Sequence, residues 1–136
     1  MAEGFARALG SEVLEAHSAG LAPALAVAPL THLVMLEKDI DLGDFYPKEI
    51  GQVQDRVDLI INMSGYELQL RNPVLVEEWD VPDPIGESEE VFREVRDEIE
   101  RRVLLLIETL RSRKTVASEA LSRAGQVDSR RRPTRQ

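Results

Sequence analysis

The chain has 136 residues, 43% of them apolar and 31% charged, with no cysteine, two histidines and a formal net charge of −8 at pH 7. That length suits one domain able to bury a core. Zero cysteines exclude disulfides, a thiolate nucleophile and any Cys-ligated metal, and His17 and His32 are too few for a zinc or facial-triad site without suitably spaced carboxylates, so neither metal nor cofactor is expected.

The opening residues, MAEGFARALG, put Ala2, Phe5, Ala6 and Leu9 at helical spacing, Glu3 four residues before Arg7, and Gly10 where a C-terminal cap belongs. The pattern is in phase from residue 1, with no Ser, Thr, Asp or Asn ahead of it as a start signal. EVLEAHSAG then reads as a short strand closed by Gly20, and LAPALAVAPL as a Pro-punctuated loop. Pro29 suits a helix start, and Leu30, Leu33, Val34 and Ile40 give that helix a face before Gly43, with His32 on its surface. DFYPKEI reads as a loop and turn.

VDLIINMSG is the clearest strand, a near-continuous apolar run of the kind buried on both faces of a parallel sheet. NPVLVEEW is another. Glu87, Glu89 and Glu90 open a long helix whose Val91, Val95, Ile99, Val103, Leu106 and Leu110 form one stripe, with Asp97–Arg101 and Glu98–Arg102 as solvent-side pairs. The order is helix, strand, helix, strand, strand, helix, an α/β pattern one strand short at the front.

Residues 111–136 carry eight Lys/Arg against two acids, leaving nine bases against 23 acids in residues 1–110. The acidic body repels nucleic acid. We take residues 1–112 as the α/β domain and 113–136 as a basic tail expected to be disordered, whose partner the residues do not identify. No run approaches the roughly 18 apolar residues of a membrane span, and no signal peptide opens the chain, so a cytoplasmic location without a membrane partner is expected.

MAEGFARAL with SAG after the next strand, VDLIINMSGYEL, and EEWDVPDPIGESEEVFREVRDEIERRV together resemble the low-molecular-weight protein tyrosine phosphatase family, which includes the thioredoxin-coupled arsenate reductases. The resemblance covers about residues 1–110 and rests on the order and spacing of these stretches rather than on any one motif. It implies a three-layer α/β fold with an open parallel sheet of order 2-1-3-4. In that family a strand and a phosphate-binding loop of the form C-x5-R followed by Ser precede a helix similar to MAEGFARAL. The resemblance thus implies that Met1 lies just inside the first helix, with the central strand and the phosphate loop absent from this chain. Paired strands sit about 4.8 Å apart, so such an absence implies collapse of the flanking segments, a substitute filling the gap, or an open slot between VLEAHS and VDLIINMS.

The resemblance also implies roles. An Asp in a D-P motif after the last strand protonates the leaving group and later activates water, which assigns general acid/base work to Asp83 in VPDPIG ahead of the neighbouring Asp80. Read without the family, Asp83 before Pro84 is equally ordinary turn chemistry. Ser18 resembles a position supporting the phosphate loop, and its other reading is a strand-end turn former. Tyr66 or Tyr46 could wall a phosphotyrosine pocket where the family often has an aromatic residue and this chain has Ile85. Neither Ser18, lacking a neighbouring base, nor Ser64, outside any G-x-S-x-G elbow, reads as a nucleophile. The implied ligand is phosphotyrosine or a small phosphomonoester, hydrolysed through a cysteinyl-phosphate that this cysteine-free chain cannot form. The disulfide relay of the reductase branch is closed to it for the same reason, which favours the phosphatase branch. The expected function is therefore an inactive member of the family; the alternative is a non-catalytic interaction protein derived from that fold.

Overall fold

The computed structural model describes residues 1–20, 27–43 and 54–130, the last nine of these as backbone only. Tyr46 with the whole of DFYPKEI, and much of LAPALAVAPL, lie outside the described residues. Three helices, α1 (Ala2–Gly10), α2 (Pro29–Leu36) and α3 (Glu89–Arg130), accompany two strands, β1 (Leu59–Asn62) and β2 (Leu75–Glu78). The strands run parallel, with Leu59 opposite Leu75 and Asn62 opposite Glu78. This is the α/β class expected, reduced among the described residues to a two-stranded sheet.

The helices make most of the core. Phe5 and Ala6 of α1, Met35 of α2, Leu42, and Val95, Ile99, Val103 and Ile107 of α3 form one buried cluster, to which the sheet side contributes Trp79. Gly10 is the last helical residue of α1 rather than a left-handed cap, since Ser11 beyond it is right-handed. Its reason is proximity: a Cβ there would lie 2.6 Å from Cγ1 of the buried Ile107. α2 ends well before Gly43. Asp39 takes φ 61°, while the Asp39 amide reaches the Leu36 carbonyl at 2.9 Å and the Ile40 amide reaches the Met35 carbonyl at 3.1 Å, a Schellman closure with Asp in the usual glycine position.

Ser88, just before α3, caps it: its Oγ accepts the Val91 amide at 3.3 Å. Of the expected stripe, Val95, Ile99 and Val103 are buried, whereas Val91, Leu106 and Leu110 are only half-buried. The pair Asp97–Arg101 does not form. Arg101 turns back to Glu98 at 2.7 Å beside Arg102 at 2.8 Å, and Asp97 instead meets the buried Arg96 at 2.9 Å. The Arg96 guanidinium also donates to the Val34 carbonyl at 2.9 Å and to Glu37 at 2.6 Å, tying α3 to the end of α2. α3 continues to Arg130, so the stretch expected to be disordered is helical there, with every described side chain from Arg111 to Leu121 exposed.

EVLEAHSAG is not a strand. The amides of Val13 and Leu14 both return to the Gly10 carbonyl, at 3.0 and 3.1 Å, and residues 14–19 are irregular before an isolated bridge at Gly20. A strand needs a partner edge, and β1 stands across a cavity of about 730 Å³ from this segment. Among the described residues an open slot therefore separates the two segments, lined by residues 13–20 and 56–64. It also explains why Leu59, Ile60 and Ile61 stay half-buried where burial on both faces was expected.

Candidate functional site

Beyond β2 the chain is held against α3 before it turns. Trp79 donates its amide to the Asn62 carbonyl at 2.9 Å and is buried, with the Arg102 guanidinium 6.0 Å above its ring. Arg102 also donates to the Asp80 carbonyl at 3.3 Å. The Pro-Asp-Pro-Ile-Gly loop follows. Asp83 Oδ1 accepts the Ile85 amide at 3.0 Å, the Glu87 amide reaches the Pro84 carbonyl at 2.9 Å, and Gly86 takes φ 83°, which a type II turn requires at its third position. The turn reading of Asp83 is therefore satisfied through one carboxylate oxygen.

Asp83 lines a small cavity of about 330 Å³ at the C-terminal edge of the sheet, with Ser64, Gly65, Glu78 and Asp80. Ligands of open α/β sheets bind at this edge. Three carboxylates line this cavity, and among the described residues no Lys, Arg or His does.

Asn62, at the end of β1, organises the opposite wall. Its Nδ2 donates to the Tyr66 carbonyl at 2.7 Å and to Glu78 at 3.1 Å, while its Oδ1 accepts the Ser64 amide at 3.0 Å and the Ser64 hydroxyl at 2.7 Å. Reading along the chain missed this role, although an Asn at a strand end before Ser-Gly is turn chemistry that could have signalled it. Ser64 is occupied in that turn, its hydroxyl bonded to Asn62 Oδ1 and to the Tyr66 backbone. Tyr66 lends the site its backbone only; its side chain is 72% exposed and lines neither cavity.

Ser18 lines the larger cavity, which shares Met63, Ser64 and Trp79 with the smaller one. Its hydroxyl donates to the buried Glu3. Glu3 in turn pairs with Arg7 at 2.7 Å, and the Arg7 guanidinium donates to the Ala16 carbonyl at 3.3 Å. This chain of contacts clamps residues 16–18 onto α1. Sequence spacing foretold the Glu3–Arg7 pair but not its second partner fifteen residues away. Ser18 and Asp83 thus line adjacent cavities joined through Ser64, and Tyr66 stands apart.

The family model for low molecular weight phosphotyrosine protein phosphatase matches residues 1–116. The chain belongs to this family. A glutaredoxin arsenate reductase of Synechocystis sp. is 35% identical over 112 residues, covering 79% of this chain and 85% of that protein. Solved arsenate reductases in the reduced state and in the phosphate-binding state superpose with TM-scores of 0.70 and 0.71, each at 33% identity and covering 80% of this chain and 86% of the other. The relatives thus bear reductase names, where the missing relay cysteines had favoured the phosphatase branch. Unlike a phosphatase-family catalyst working through a thiolate, this family member has no cysteine in its sequence.

Proposed function

We propose that this chain is a catalytically silent member of the family, keeping the proton-transfer half of a phosphomonoesterase site without the nucleophilic half. The observation that carries the reading is a family match over residues 1–116 in a sequence without cysteine. Phosphoryl transfer to a thiol needs a thiolate of lowered pKa, with backbone N–H groups and a guanidinium around the equatorial oxygens. Reduction of arsenate, the activity in the relatives' names, needs thiols to supply two electrons. Neither is available here. The three carboxylates around the Asp83 cavity further disfavour an oxyanion.

Asp83 is the residue we assign to the ancestral acid/base role, with Ser18 as a support of the phosphate loop and phosphotyrosine or a small phosphomonoester as the ancestral ligand. A cytoplasmic location belongs to the same reading; among the described residues no helix is long and apolar enough to cross a membrane.

The purified chain is expected to hydrolyse p-nitrophenyl phosphate no faster than buffer and to leave arsenate unreduced in the presence of glutathione and glutaredoxin. Clear turnover lost in Asp83→Asn overturns the proposal. A chain extended upstream of Met1 by a strand and a C-x5-R-S loop is expected to gain phosphatase activity, and Asp83→Ala in that chain to slow poor leaving groups most.

A further inference from the structure

The end of α3 stands clear of the domain. Among the described residues its last bond to the body is from Lys114 Nζ to the Glu12 carbonyl at 3.1 Å. The helix nevertheless runs on to Arg130, about 24 Å further. One face is open along the whole element. Residues 90, 94, 97, 101, 104, 108, 112, 116 and 119 follow one another at spacings of three and four, share that face, and are all exposed. The same period carries the line to Arg123 and Arg130.

Charge on this face is divided by position. Glu90, Glu94 and Asp97 stand at one end, Arg123 and Arg130 at the other. A continuous helix holds Glu90 and Arg130 about 60 Å apart, so the two ends cannot meet within one chain. They meet when two copies lie antiparallel. Setting Arg101 of one copy opposite Glu119 of the other also sets Asp97 against Arg123, Glu90 against Arg130 and Leu104 against Val116, with no like charges opposed along the face. Sliding by one heptad either way sets Glu119 against Glu94 or Glu108, and a parallel pair opposes every charge to itself. The pattern therefore selects one register. Asp97 and Arg101 keep 55% and 59% of their side-chain surface exposed beside their own partners Arg96 and Glu98, which leaves both open to a second copy.

We infer that the outer face of α3 is a self-association surface whose occupant is a second copy of this chain, aligned antiparallel in that register. The basic end of each helix then lies over the acidic start of the other, and the two acidic bodies stand at opposite ends of the pair. Leu104 and Val116 are the apolar contact near its middle, so the pair is held mostly by charge and forms at high protein concentration. This goes beyond the catalytic reading, since no residue of the face lines either cavity.

The test uses the full 136-residue chain, whose lack of cysteine lets introduced thiols report the register without background. Under mild oxidation a mixture of Leu104→Cys and Val116→Cys is expected to form a mixed disulfide dimer. Each variant alone is expected to form far less, since in this register Leu104 lies about 18 Å from its own counterpart. Sedimentation velocity of the parent chain is expected to show a concentration-dependent dimer whose affinity falls at least about tenfold between about 0.05 and about 0.5 M salt. Arg101→Glu and Glu119→Arg each oppose like charges at two symmetric places, and each is expected to weaken the dimer at least about tenfold. An equimolar mixture of the two, or the double variant, is expected to restore it. Both positions are exposed, so the variants keep the fold. A chain that stays monomeric up to about 0.5 mM overturns the proposal. So does a preferred disulfide of Leu104→Cys with itself, which marks a parallel pair, or failure of the charge-reversed mixture to recover. Saturable capture of a single-stranded oligonucleotide by a chain that stays monomeric also overturns it, by making a polyanion the occupant of the basic end.

Discussion

Replacing Ala16 by leucine adds three carbons to a half-buried position on the wall of the 730 Å³ cavity. In a filled core such an insertion costs about 1–3 kcal/mol through overpacking. Here there is room beside Ile61 and Leu106, and three methylenes at about 0.8 kcal/mol each, discounted by about half for incomplete burial, give a gain of about 1 kcal/mol. For a chain of this length that raises the melting temperature by about 3–5 °C. Gly10→Ala supplies the contrast. Helix propensity favours alanine by about 1 kcal/mol, yet the new Cβ would stand 2.6 and 2.7 Å from Cγ1 and Cδ1 of Ile107, a fully buried side chain with nowhere to retreat. Overpacking exceeds propensity there, and a net loss of about 1 kcal/mol is expected. Urea melts of both variants, with unchanged slopes, measure the two signs. If Ala16→Leu destabilises as Gly10→Ala does, the slot is closed in solution and the reasoning fails.

Arg96→Ala removes donors to the Val34 carbonyl, Glu37 and Asp97 at once, and a loss of about 1–3 kcal/mol is expected in denaturant melts, the upper end if the Val34 carbonyl stays unsatisfied. The hydrogen bonds from Arg101 and then Arg102 hold the Glu98 carboxyl down at about 2, below its ordinary 4.5. Its contribution is therefore complete above about pH 4.5 and lost as pH falls toward 2, so the gap between the melting temperatures of the parent chain and Glu98→Gln should close over that window. Deleting residues 117–136 removes the exposed side chains of residues 117–121 and everything after them but keeps the Arg111–Glu12 contact, and we expect the cooperative melt to survive with a shift of no more than about 0.5 kcal/mol.

The helices were legible because their information is local. Ala2, Phe5 and Ala6, and Val95, Ile99 and Val103, are spaced by the helix period itself, and their burial follows from it. β1 was legible as a strand, since Leu-Ile-Ile has few other uses, but its half-exposure was not, because burial depends on what stands across the cavity. VLEAHS shows the limit most sharply. Its apolar positions suit a strand, yet pairing is a property of two segments, and Gly10 claims its first amides for a turn instead. Gly10 and Gly43 both looked like helix stops. One answers to Ile107, nearly a hundred residues away, and the other is pre-empted by Asp39, a residue whose tolerance of left-handed backbone is weaker than glycine's. In the site, the turn at Asp83 was written in Pro, Asp and Gly, whereas the Ser18–Glu3 contact and the anchoring of Asn62 join segments that only folding brings together.

The distribution of the core explains how so small a sheet is sustained. Of the buried cluster, Phe5, Ala6, Met35, Val95, Ile99, Val103 and Ile107 lie on the three helices, Leu42 follows α2, and Trp79 alone comes from beyond β2. The helical layer therefore carries the fold, and β1 with its cavity is an appendage of lower local stability.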